Sequence, residues 1–264
     1  MHRTVSAALE FRLGGHSDVI LSIAVAAGTP ILSETLSIRS DRGQIVPQEL
    51  VDRHGTRLHR IAAHAGGYSI HYHAVVAGQR PVEPASPLDH LLYLRPSRYA
   101  ESDKLFRFAR ERFGGLHGQV LLDAVASFVH DGLSYVPGSS GPSDSAATTL
   151  SSREGVCRDY AHLVIAFLRA CDMPARMVSA YAPGLTPMDF HAVAEAWVDG
   201  HWRIVDATRL APRQSLVRIA TGRDASDIAF VTNHHANLTL DRVEVGAVAQ
   251  TLPMDDQRTP VLLS

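Results

Sequence analysis

The pattern of apolar and polar positions divides the chain into two regimes. Through about residue 95, apolar residues recur at the two-residue period of a half-buried strand. Val19, Leu21, Ile23 and Val25 alternate, and short runs follow around 36–38, 58–61 and 68–76. Turn signals separate these runs at Gly14-Gly15, Gly28-Thr29-Pro30, Asp41-Arg42-Gly43, Gly66-Gly67 and Gly78. The spacing predicts an antiparallel sheet or small sandwich. A proline-rich stretch with Pro81, Pro84 and Pro87, ending at Pro96, reads as a connector.

Beyond it the period changes to that of a helix. Ser102-Asp103 can cap a helix carrying Leu105, Phe106, Phe108, Ala109 and Phe113 and ending at Gly114-Gly115. A second helix covers about 118–130, with Val120, Leu121, Ala124, Val125, Phe128 and Val129 on its apolar face. A loop rich in Ser, Gly and Pro follows at 137–145; it either borders a cleft or is merely exposed. From Tyr160 to Cys171 only His162 and Arg169 interrupt an apolar run, which predicts a helix buried nearly all round. Strand-like segments then cover 176–181, 190–198, 201–207, 216–220, 228–232 and 237–248. Asp199-Gly200 is a two-residue hairpin signal within this series. The last dozen residues read as a loose tail. The pattern therefore predicts an α+β chain: an antiparallel β domain at 1–95, a second domain at 96–250, and a flexible tail at 251–264.

Composition narrows the partners. The formal net charge is −2, which gives no reason to expect nucleic acid or an anionic membrane as partner. No leader-like or membrane-length apolar block is evident, so the expected location is cytoplasmic. The two cysteines cannot pair within one helix. Cys157 and Cys171 would lie roughly 21 Å apart along its axis, and a disulfide needs Cα atoms within about 7 Å. Fifteen histidines invite a metal reading. His71 and His73 share a strand face, but no third or fourth ligand accompanies them, and His234-His235 would face opposite ways, so neither a metal nor a cofactor is expected.

The candidate chemistry begins at Cys157, in the predicted first turn of the buried helix. Unpaired N–H groups and the positive end of the helix dipole favour the anionic form of a sulfur there. The hairpin supplies partners. With Asp199 and Gly200 as turn residues, Trp197 faces Trp202 and Glu195 faces Ile204. His191 and Asp206 are then diagonal neighbours on one face, about 7–8 Å apart at the backbone. A slip of one residue would separate them. A histidine that takes the thiol proton and an acid that orients the ring are what a nucleophilic cysteine needs.

Three segments carry a resemblance. Gly155-Val156-Cys157-Arg158-Asp159-Tyr160-Ala161-His162 resembles the cysteine motif of bacterial transglutaminase-like cysteine proteases. Segments 190–197 and 202–208 resemble that superfamily's histidine and aspartate motifs, and 93–99 and 219–225 resemble its bacterial branch. The resemblance implies a papain-like α+β core with Cys157 as nucleophile, His191 as base and Asp206 as orienter. It implies a peptide or protein substrate, and either hydrolysis of peptide or amide bonds through a thioester or transfer of a glutamine acyl group to an amine. A non-catalytic peptide-binding scaffold with the same fold is the alternative from another class. Val193 stands where many relatives carry Trp, which leaves the triad intact and changes the expected cleft wall.

Other residues stay open. Tyr135 is either a donor to the oxyanion beside the Cys157 N–H or a core tyrosine beside a turn. Asp159 either binds substrate or fixes the loop, and an acid at a helix start is explained equally by the dipole. Glu195 is a support for His191 or a polar residue lining the cleft. His162 is rotated away from the thiol and is read as part of a polar stripe with Arg158 and Arg169.

Overall fold

The structure is a computed structural model that describes residues 1–82 and 86–263. The chain opens with seven strands: β1 (His2–Leu13), β2 (Ser17–Leu21), β3 (Ile31–Ser40), β4 (Gly43–Ile45), β5 (Gln48–Val51), β6 (Arg57–Ala63) and β7 (Gly66–Ala77). Helices α1 (Pro87–Leu92), α2 (Ser102–Phe113) and α3 (Gly118–Gly132) follow, then the short β8 (Ser134–Tyr135), α4 (Ala146–Ser152) and β9 (Glu154–Gly155). Helix α5 (Cys157–Ala170) leads into β10 (Ala175–Tyr181), β11 (Phe190–Val198), β12 (His201–Val205) and β13 (Val217–Gly222). The chain then forms α6 (Ala225–Ile228), β14 (Val231–His234) and β15 (Leu238–Ala249).

The early strands form two sheets. One has the order β15-β1-β7-β3-β4, the other β14-β2-β6-β5. Strands β14 and β15 thus return from the far side of the second region to complete the first. β15 lies antiparallel to β1 from Arg3↔Ala249 to Leu13↔Leu238, with one irregularity at Glu10/Phe11. Strand β1 is absent from the alternating runs read above, although Val5, Ala7, Leu9, Phe11 and Leu13 alternate and are all buried.

The prolines of the connector frame structure where the chain is described: α1 starts at Pro87, and Pro84 lies outside the described residues. Asp89 of α1 pairs with Arg53 at 2.8 Å, and the Tyr93 hydroxyl meets His54 Nε2 at 2.8 Å.

The third sheet has the order β12-β11-β10-β13, all antiparallel. Ala192, Ala194 and Ala196 of β11 join the main core with α5, and these small side chains let helix and sheet approach closely. Val178, Ala180, Val193 and Ile204 form a second cluster that is closed by Val261 and Leu263. The segment read as a loose tail is therefore anchored by two buried apolar residues, and the Ile204 N–H donates to the Val261 carbonyl at 2.9 Å. Val193, expected in the cleft wall, is buried in this second cluster instead.

Helix α5 is buried at every position from Asp159 to Ala170. Its two polar interruptions bond to the segments at 93–99 and 219–225, with His162 Nδ1 left buried without a partner among the described residues. Arg169 donates to the carbonyls of Ala175, Arg95 and Arg223 and to the Ser97 hydroxyl. His162 stacks on Tyr99, with ring centroids 5.4 Å apart, and its Nε2 accepts from the Ala225 N–H at 3.1 Å. Burial holds its pKa down to about 3, so the ring is neutral. The stripe read as polar is an internal seam.

Candidate active site

The hairpin folds in the register expected from its turn. Asp199 and Gly200 take φ of 49° and 82°, the positive pair of a two-residue turn whose twist matches the flanking strands. Trp197 pairs with Trp202, Glu195 with Ile204 and Ala194 with Val205. The ladder stops there, and Asp206 begins a tight turn. Its Oδ1 accepts from the Thr208 N–H at 2.9 Å and from the Thr208 hydroxyl at 2.6 Å. This leaves Oδ2 for His191 Nε2 at 2.8 Å. Both side chains are buried.

The two groups hold one another charged. Burial alone pulls the His191 pKa down, but the Asp206 carboxylate outweighs it, and a Cys157 thiolate adds to the same effect, so the ring is raised to about 10. Burial pushes Asp206 up, and the His191 charge with the Thr208 hydrogen bonds brings it below its ordinary value. With Nε2 committed to Asp206, Nδ1 is the nitrogen left over. It is buried without a hydrogen-bond partner among the described residues, and Cys157 is, after Asp206, the side chain that raises the ring's pKa.

Cys157 is the first residue of α5 and is half-buried. Its position depends on a close packing just upstream. The Val156 N–H donates to Asp159 Oδ2 at 2.8 Å, which closes the turn into the helix. Gly155 lies so near this carboxylate that a Cβ there would come within 2.7 Å of the Asp159 Cβ. Asp159 is buried and its bonds fix the loop.

Tyr135 arrives by a different route. β8 runs parallel to β9, pairing Tyr135 with Gly155, and the Val136 N–H donates to the Gly155 carbonyl at 3.1 Å. The phenol is thereby set against the Cys157 backbone N–H. Burial, and then the charges of Cys157, Asp189 and Asp206, push its pKa to about 12. It therefore keeps its proton as a hydrogen-bond donor. Arg158 tethers the Ser/Gly/Pro-rich loop, donating to the Ser140 hydroxyl and the Gly141 carbonyl at 2.6 Å each, so this loop borders the site.

Cys157, His191, Asp206 and Tyr135 are thus brought together, and Asp159 stands behind them. Glu195 is not brought in. It is buried between Arg176, at 2.7 Å, and Arg218, and neither lines the cleft nor touches His191. Asp189, just ahead of β11, has its charge near both His191 and Tyr135, and sequence reasoning passed over it. The available signal was its position two residues before His191, which an extended chain turns to the same side.

A cavity of about 580 Å³ lies between α3, β12 and the tail and touches Asp206, but neither Cys157 nor His191 lines it. Among the described residues no three histidine, cysteine or acidic side chains gather closely enough to hold a metal ion. No helix among them is long and apolar enough to cross a membrane.

Known proteins show the same arrangement of chain. The pattern of the Transglutaminase-like superfamily matches residues 118–207, which include Tyr135, Cys157, His191 and Asp206. The solved structure of "a Putative Cysteine Protease from Cytophaga hutchinsonii" superposes with a TM-score of 0.86 at 32% identity, covering 98% of this chain and 93% of that one. An uncharacterized protein of Mycobacterium leprae is 32% identical over 114 residues, and one of Mycobacterium bovis is 34% identical over 126 residues. These matches cover 40% and 42% of this chain, and 41% and 40% of the length of those curated relatives. The full-length likeness at that identity, with the site-bearing segment matched to the superfamily pattern, establishes that the chain belongs to the transglutaminase-like superfamily.

Proposed function

We propose that this protein is a cysteine-dependent hydrolase of peptide or amide bonds, with a peptide or protein as substrate. The observation that carries the reading is the buried, charged His191–Asp206 pair, whose remaining nitrogen is left without a partner and whose charge is supported by the cysteine at a helix start. Superfamily membership supports a cysteine-dependent activity.

In the proposed cycle the Cys157 sulfur, its proton on His191 Nδ1, attacks the amide carbonyl and forms a C–S bond. The carbonyl oxygen takes up negative charge between the Cys157 N–H and the Tyr135 hydroxyl. His191 gives its proton to the departing nitrogen, the C–N bond breaks, and a thioester remains. Water then attacks the thioester, passing a proton to His191. The acid leaves and the proton returns to sulfur. Asp206 holds the ring in the tautomer that keeps Nδ1 available.

The test uses p-nitrophenyl acetate. The expected result is release of p-nitrophenol with an acetyl group found on Cys157 by peptide mass spectrometry, then its loss to water, and neither in Cys157→Ser. Acetylation of Cys157 no faster than that of a free cysteine would refute the proposal. Incubation with a glutamine peptide and a labelled amine should give no conjugate; conjugate in place of free acid would make the enzyme an acyltransferase.

A further inference from the structure

Asp189 is a charged side chain at the site that the proposed cycle leaves idle. It ends the segment joining β10 to β11, two residues ahead of His191. Its Oδ1 accepts the adjoining Phe190 N–H at 2.7 Å, and the side chain is exposed. Among the described residues it forms no ion pair with an arginine, lysine or histidine. The His191 ring lies near enough to feel its charge but is bonded to Asp206. The Arg158 guanidinium is turned to Ser140, Gly141 and Asp159. A carboxylate with open acceptor positions therefore stands near Tyr135 and His191, and the charged ring it faces is already bonded to Asp206. Such a group attracts a cation placed next to the reacting carbonyl and repels an anion.

We propose that Asp189 is a specificity-determining residue: it selects substrates that carry a positive charge, such as a lysine or arginine side chain, next to the bond attacked by Cys157. The inference rests on the thiol chemistry proposed above and names its substrate class. Because the carboxylate is exposed, the preference is small and salt-sensitive, about threefold, as for other partly solvated ion pairs.

The experiment compares alkylation of Cys157 by 2-bromoethylammonium and by neutral iodoacetamide, followed on the Cys157 peptide so that Cys171 does not contribute. N-acetylcysteine amide gives the reference ratio for an uncharged setting. The cation-to-neutral rate ratio should exceed the reference about threefold in the wild type at low salt. It should fall to the reference in Asp189→Asn and in about 0.5 M salt. Asp241→Asn, which makes the same charge change far away on β15, should keep it. A wild-type ratio equal to the reference, or a raised ratio that survives in Asp189→Asn, overturns the proposal. So does an Asp189→Asn variant that slows both reagents equally, because that result makes Asp189 a positioning residue for His191. Failure of the thiol chemistry reads differently: slow acetylation by p-nitrophenyl acetate, whatever the charge ratio.

Discussion

Replacing Asp206 by asparagine separates the charge of the pair from its shape, and the hydrogen bonds around it set the outcome. The native carboxylate accepts at both ends: from Thr208 at Oδ1 and from His191 Nε2 at Oδ2. An amide accepts at one end only. If its oxygen stays with Thr208, its NH₂ faces Nε2, which must then carry no proton. The ring's single hydrogen moves to Nδ1, the side that faces Cys157, and the thiol proton has nowhere to go. If the amide turns round, its NH₂ meets the Thr208 N–H, and a buried donor left without an acceptor costs about 1–3 kcal/mol. The first arrangement leaves no such conflict at Thr208, so it is the expected one. Acetylation of Cys157 should then drop by roughly 10²–10⁴, the usual contribution of a positioned acid or base.

The same variant has a pH signature in stability. His191 is raised from 6.5 to about 10, so its contribution is complete below 6.5 and fades as pH climbs to about 10. Asp206 is lowered from 3.8, so its contribution is complete above that value and fades as acid protonates the folded carboxylate. Both shifts describe one pair and are counted once. The gap in unfolding free energy between wild type and Asp206→Asn should be about 1.5–3 kcal/mol, the worth of a charge-assisted bond, near pH 5. It should shrink toward pH 10. Urea unfolding across that range measures the gap, and iodoacetamide alkylation near pH 6 reads the thiol. A gap that stays constant to pH 10, together with alkylation of Cys157 within about twofold of wild type, would refute the reasoning.

Two further substitutions probe separate parts of the site. Tyr135→Phe should slow acetylation by p-nitrophenyl acetate about 10²–10³-fold yet leave iodoacetamide alkylation unchanged, because that displacement builds no oxyanion; equal slowing of both would make Tyr135 a packing residue. Glu195→Ala removes the carboxylate shared by two buried guanidinium groups, Arg176 and Arg218, and should cost about 3–5 kcal/mol in urea unfolding. A loss below about 1 kcal/mol would mean that the remaining partners of the two guanidinium groups hold them without the carboxylate.

The parts of this site that were legible in the sequence are those fixed by local geometry. The Asp199-Gly200 turn has room for one register, and that register delivers His191 and Asp206 to each other without knowledge of the rest of the chain. Helix α5 was legible because twelve successive buried positions leave a nearly unbroken apolar run. What escaped depends on partners distant in sequence. Alternation assigns Glu195 to a face of β11 but is silent on what covers that face, and the cover is made of Arg176, Arg218 and the C-terminal segment. The tail is polar on average, yet Val261 and Leu263 are buried and Asp255 pairs with Arg213. Strand β15 carries its own alternation, but nothing local directs it back to β1. Asp189, an acid before a strand, looks like any turn residue until Tyr135 is brought opposite.

The N-terminal sheets are a brace for the sheet that carries His191. The Tyr181 hydroxyl donates to the Ile23 carbonyl at 2.8 Å, and the Ala26 N–H donates to the Arg218 carbonyl at 2.9 Å. The Thr221 N–H reaches the Thr56 hydroxyl at 3.2 Å, and His54 lies against Arg176. These contacts fall on β10 and β13, the strands beside and beyond β11, and Arg218 carries them on to Glu195 within β11 itself. A hydrogen bond of 2.8 Å between His191 and Asp206 is useful to a nucleophile only if the strand beneath the ring does not wander, because an ångström of displacement undoes the alignment. The paired strands β1 and β15 close this brace from opposite ends of the described chain. The first seven strands are therefore expected to act on the proposed chemistry through rigidity, and their loss should loosen His191 before it exposes Cys157.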